Sequence, residues 1–385
     1  MRQCMPIPLP LRTMKKKHLI YILPLLVFSA CKDDEQEIIP EEQVTIASIP
    51  AFYAEGNREE PSFTVIAERA DRVQEPQDLD FHPTRDNELW IVNKGTDASG
   101  GSTVTISNAG LANQSELWRR DGNAWHFMAL PSAISFSKSN ENFGTTANIQ
   151  DANRQGGTFT GPSLWSSDMS IYAQDPGPGL NGSHLDMLHG SPYCMGMESD
   201  EDNAFWVFDS YNGHIAWYDF AADHGPGHDD HSDGVVYRYV EMPLTRDASG
   251  IPSHIVEDDA SGILFVCDPA NSRVLWMNTQ SGSIDKTLPL INEQLASHQE
   301  MKDLEWGVFA DAGLNKPCGI EVIGDVLYVS DNATGEIIAY NKETKVELAR
   351  ITASEKGIMG LKADKNGALF FVNAETNEVV RIDPK

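Results

Sequence analysis

The chain has 385 residues, with 57 Asp and Glu against 29 Lys and Arg, a formal charge of −28 and 41% hydrophobic residues. That apolar content supports a packed core and argues against global disorder. The acidity argues against nucleic acid, whose binding rests on Lys and Arg at phosphates, and five scattered cysteines are too few for a disulfide scaffold or zinc ribbon.

The chain opens on an address. Lys15, Lys16 and Lys17 precede an apolar run from Leu19 to Phe28, too short to span a bilayer as a helix. Ser29 and Ala30 then stand directly before Cys31. Small residues before such a cysteine resemble the bacterial lipobox, which implies that residues 1–30 are removed and Cys31 carries the lipid. The acidic run Asp33, Asp34, Glu35 and Glu37 resembles the export signal of Bacteroidota surface lipoproteins. The expected place is therefore the cell envelope, as an outer-membrane lipoprotein facing the surface or the periplasm. Losing residues 1–30 removes five basic residues and no acids, leaving the mature chain at −33. Residues 31–60 read as a tether, with charges, Pro40, Pro50 and little periodicity.

Residues 61–385 read as a repeat. Each copy has a Pro followed by an apolar strand, a second strand ending in Asp or Asn, a short turn, and a third strand. The clearest runs from Pro252 through Ile263–Asp268 to Trp276, and the next from Pro317 through Val326–Asp331 to Tyr340. Six copies begin near 76, 131, 192, 252, 317 and 358. Strand-length runs without helical period, repeated radially, predict an all-β, six-bladed β-propeller. The last copy lacks a fourth strand, and the alternating segment near 62–67 is expected to supply it and close the ring. One helix is expected around Asn292–Met301, inside an insertion.

The repeat register places Asp78, Ala133, Gly196, His254, Gly319 and Gly360 at one level of the central channel, with His189 on the approach to its mouth. Imidazole and carboxylate are a ligand set for zinc or another divalent cation. His189, His254 and Asp78 are thus channel candidates, as are His184 and Asp186 in the polar stretch before Pro192. A second group lies in a Gly- and Pro-broken loop: His224, His228, Asp229, Asp230, His231 and Asp233. Carboxylates on such backbone favour calcium, and histidines favour transition metals. Each group equally reads as ordinary wet or solvated polar residues. Cys194, Cys267 and Cys318 read as buried thiols.

The copies resemble NHL repeats, with Lys316–Tyr340 and Pro252–Trp276 closest to the pattern. That resemblance implies a six-bladed ring but no single chemistry. Within it, Pro252-Ser253-His254 and Asp209-Ser210-Tyr211-Asn212-Gly213-His214-Ile215 are similar to elements of the propeller lyase that releases α-amidated peptides. The likeness would make Tyr211 a catalytic candidate. Pro269 stands where that family has a functional arginine. Two functions stay open: a binding module for a small-molecule, peptide or protein ligand, with or without a divalent metal, and a metal-dependent lyase or hydrolase acting at the channel.

Overall fold

The computed structural model describes residues 48–385 except 229, 291 and 292. Cys31, the expected signal segment and Asp229 lie outside the described residues.

Six sheets form the six blades. Their innermost strands are Pro76–Phe81, Ile134–Phe136, Cys194–Ser199, Ile255–Asp258, Pro317–Ile323 and Ile358–Ala363. Each meets the next, and the sixth meets the first. The cause is visible in a second strand such as Ala204–Asp209, which is buried along its whole length. Successive strand side chains point to opposite faces. Phe205 and Val207 therefore pack with Leu164 and Leu185 of blade two, while Trp206 and Phe208 pack with Leu264 and Val266 of blade four. A strand covered on both faces needs no polar alternation, so the sequence there is apolar throughout. Each fully buried Phe or Leu contributes ~1.5–3 kcal/mol.

Glycine recurs at the channel level because the inner strands come too close for a side chain. A Cβ on Gly196 would lie 2.0 Å from the Ser253 carbonyl oxygen, and one on Gly319 would lie 2.3 Å from that of Met359. Backbone cannot yield as a flexible side chain can. Gly196→Ala is therefore expected to destabilise the ring by about 1–3 kcal/mol. Thermal unfolding checks this, and an unchanged midpoint would refute the close approach.

The ring closes as expected. Ser62–Ala67 pairs antiparallel with Glu378–Asp383, from Ser62 opposite Asp383 to Val65 opposite Val380. Part of the segment expected as a tether, from residue 49 on, packs on the ring. Ile49, Ala51 and Phe52 are buried in the cluster between blades five and six. Phe52 meets Tyr328 edge to face at 5.2 Å, and the Ala54 N–H donates to the Lys385 carbonyl.

The expected helix at Asn292–Met301 is a correction. Residues Ser297–Lys302 form a strand, paired antiparallel with Ser283–Thr287 and parallel with Val235–Tyr239. This hairpin is inserted between the third and fourth strands of blade four, Arg273–Asn278 and Trp306–Ala310. It crosses to extend blade three to six strands. Pairing with an edge strand remote in sequence overrides the local pattern that read as helix.

Candidate metal centre

The channel brings together two of its expected residues. Asp78 Oδ2 lies 3.8 Å from His254 Nε2 and accepts the Ile134 N–H at 3.0 Å. His254 Nε2 is 2.9 Å from the Ser132 carbonyl oxygen, so Nε2 carries the proton. Burial raises the Asp78 pKa. Deeper in, Lys362 of blade six sits among Asp80, Glu198 and Glu321 at 3.7, 3.5 and 3.8 Å. These four charges come from four inner strands and tie them together. His189 does not join this set.

His189 instead meets a residue of the second expected group. It follows His184–Met187, the outermost strand of blade two. His231 comes from the long loop between Asp219 and Val235, the third and fourth strands of blade three. The third member, Glu293, lies in the turn of the inserted hairpin, between Thr287 and Ser297. Among the described residues this is the single group of three or more His, Cys, Asp or Glu whose ligand atoms all lie within 4.8 Å of one another. It sits at the outer seam of blades two and three, away from the inner strands.

Its geometry is convergent. His189 Nδ1 and His231 Nδ1 both approach Glu293 Oε2, the second at 2.8 Å. The His189 N–H donates to Glu293 Oε1 at 2.8 Å. Burial alone would raise Glu293, but the hydrogen bonds from His189 and His231 outweigh it and hold the carboxyl at about 2. The supporting backbone is clamped. The Leu188 N–H donates to the Pro162 carbonyl, the Tyr218 hydroxyl to that of His189 at 3.2 Å, and Arg238 to that of Gly190 at 2.7 Å. The Ala296 N–H donates to the Gly234 carbonyl, joining the hairpin to the His231 loop. His231 Nε2 lies 3.6 Å from Asp186 Oδ1. Asp186 is only 1% exposed, and its Oδ2 has no hydrogen-bond partner among the described residues. Burial pushes this carboxyl up to about 7.

Of the other candidates, His184 lines the cavity beside the centre, and the rest hold other places. His184 stacks on Phe127 at 3.5 Å and has Nδ1 2.9 Å from the Asn181 carbonyl. Burial lowers its pKa to about 3, which keeps it neutral. His224 is paired with Asp233 at 3.0 Å. Desolvation opposes its charge, yet the Asp233 hydrogen bond and charge raise its pKa. His228 is exposed, and exposed Asp230 accepts the Ser232 N–H. Tyr211 is 53% exposed in the turn between Asp209 and His214. Cys194, Cys267 and Cys318 are free and buried.

A cavity of about 230 Å³ adjoins the centre, walled by His189, His231, His126, Phe127, Phe159 and Asn181 among others. Phe159 lies 3.6 Å from the His189 ring, centroid to centroid. Sequence reasoning named both histidines but in separate groups, and it missed Glu293. No spacing rule links residues 189, 231 and 293; only knowledge that the insertion crosses to blade three joins them.

No protein-family model and no curated protein sequence matches the chain. Solved structures do. An auxiliary nutrient binding protein from Bacteroides thetaiotaomicron is 12% identical with a TM-score of 0.51, over 80% of this chain and 68% of that one. Its counterpart from Bacteroides ovatus is 10% identical with a TM-score of 0.50, over 80% and 69%. A luciferin-regenerating enzyme is 10% identical with a TM-score of 0.53, over 84% and 95%. At such identities the likeness establishes the fold, a six-bladed β-propeller, and nothing finer.

Proposed function

We propose that the chain is a lipid-anchored propeller of the bacterial cell envelope that binds a small solute, with a divalent transition metal held by His189, His231 and Glu293. The lipobox-like end at Cys31 and the strongly acidic body support the location. Two propellers of like fold are described as nutrient binding proteins, which supports a solute as ligand. The observation that carries the metal is the approach of two imidazole Nδ1 atoms to one carboxylate oxygen. Two nitrogens and one oxygen suit zinc and its neighbours better than calcium, which prefers six to eight oxygens.

The test is elemental analysis of the chain from residue 31 onward, made without acylation, chelator or affinity nickel. About one zinc or other transition metal per chain is expected. Glu293→Gln is expected to weaken binding on the order of a hundredfold or more, because it removes the one anionic ligand. Calcium alone would move the site to the acidic loop, and no metal would overturn the centre.

A further inference from the structure

We propose that this centre is hydrolytic, using water at an open coordination position to cleave small carboxylic esters admitted to the adjoining cavity. The inference rests on the metal reading above and goes further, from holding an ion to turning over a substrate.

The donor set comes first. Structural zinc sites are closed by four protein ligands, whereas two histidines and one glutamate, leaving the fourth position to water, are a set used for hydrolysis. Here the described residues supply three ligands. Glu293 is also held to one-oxygen ligation, since Oε1 is taken by the His189 N–H at 2.8 Å. A carboxylate fixed that way cannot swing to fill a second position.

Asp186 is the independent observation. A carboxylate 1% exposed with an orphan oxygen costs stability unless something recruits it. Its other oxygen accepts the Met187 N–H at 2.6 Å and lies 3.6 Å from His231 Nε2. When His231 gives Nδ1 to a metal, its proton must sit on Nε2, directed at Asp186. A carboxylate behind a metal-ligating imidazole fixes the tautomer and raises ligand basicity. Asp186 is thus placed as a positioning residue behind His231.

The cavity supplies the third argument. About 230 Å³ opens beside both imidazoles, with Phe127 and Phe159 as apolar wall. Phe127, Phe159 and Met187 can receive a small acyl group, and the four histidines and two asparagines of the lining supply polar contacts. His126 lines the same cavity, and its Nδ1 faces the Ala152 carbonyl at 3.1 Å. Nδ1 is then the protonated nitrogen, and Nε2 is left as an acceptor. In the step, the water oxygen bonds to the acyl carbon and one water proton passes to His126 Nε2. The bond from acyl carbon to alkoxy oxygen breaks, and the alkoxide takes that proton. Ester and water give acid and alcohol, with no oxidant or reductant.

The experiment uses the same chain with one equivalent of zinc, p-nitrophenyl acetate as substrate and acetohydroxamate as a metal-seeking inhibitor. Metal content is measured on each sample. The expected result is zinc-dependent release of p-nitrophenolate, suppressed by acetohydroxamate and reduced at least a hundredfold in Glu293→Gln. Asp186→Asn is expected to keep the fold and to weaken zinc about tenfold. The inhibitor arm needs no variant, so misfolding of a variant does not blunt the test. One zinc per chain without release above free zinc overturns this inference and leaves the metal reading standing. No bound metal removes both.

Discussion

Arg238→Met is expected to cost about 3–5 kcal/mol and to loosen metal binding at the same time. Arg238 is buried in the fourth strand of blade three. It pairs with Asp209 at 2.7 Å, donates to His298 Nε2 at 2.9 Å and to the Gly190 carbonyl at 2.7 Å. Removing one partner of a buried pair leaves the other charge uncompensated, which is the expensive case. Asp209 would keep Ser191 and Asn212 as donors but lose its counter-charge. The double variant Asp209→Asn with Arg238→Met removes both charges, and it should recover much of the loss. Chemical denaturation of the three proteins checks this, and a double variant no better than the single would refute charge burial as the cause. The second readout is the metal. Arg238 holds Gly190, next to His189, and through His298 it holds the inserted hairpin that carries Glu293. A supporting shell of this kind is worth ~10–100-fold in metal affinity. Stability and affinity should therefore fall together.

The same network explains how far the sequence could be read. The ring was legible because blade strands are local: apolar runs, Asp and Asn ends and Gly turns recur within each copy, and the unpaired last strand demanded a partner near residue 62. The channel level was legible for the same reason, and Asp78 and His254 do meet there. The centre was not, because each of its three residues lies in a departure from the repeat. His189 follows a four-residue strand of the weakest copy, His231 sits in an overlong loop, and Glu293 lies in an insertion. The insertion reads locally as helical, which hides its hairpin and the parallel pairing of Val235 with Ser297. Periodicity reports which face of an element is covered, not which distant element covers it. The buried end of the tether was missed for a related reason. Ile49, Ala51 and Phe52 are three apolar residues among prolines and charges, too few to show a period, yet enough to fill the gap between blades five and six.

Protonation of the channel carboxyls is expected to stabilise the chain at low pH, a contribution lost as pH rises from about 4 to 7. Asp80 and Glu198 are both buried beside Lys362. Burial raises each to about 6, with Lys362 opposing and the neighbouring acids adding to the rise. A carboxyl whose pKa is higher in the folded chain than in the unfolded one holds its proton more tightly when folded. Its contribution is complete below the unfolded value near 4 and is lost as pH passes through 6. A shift of that size is worth roughly 2–3 kcal/mol for one isolated group, and the two share one lysine. Asp186, raised to about 7, acts in the same direction, whereas His184 and His82, lowered by burial to about 3 and about 4, act oppositely and gain stability as pH rises toward 6.5. Glu293 acts oppositely and lower down: held at about 2, it stabilises above its ordinary range near 4.5 and loses that contribution as pH falls toward 2. The two windows scarcely overlap, so the arms can be separated. Denaturant midpoints at pH 4.5, 5.5, 7 and 8 are compared between the parent chain and Asp80→Asn with Glu198→Gln. The variant should lose less stability than the parent between pH 4.5 and 7, while Asp78, Asp186 and Glu321, also raised by burial, remain in both proteins and Glu321 is left to pair Lys362. An equal slope in both proteins would mean that these carboxyls are already ionised at pH 5. Lys362 would then outweigh burial, and the channel would be a set of satisfied ion pairs rather than a reservoir of protons.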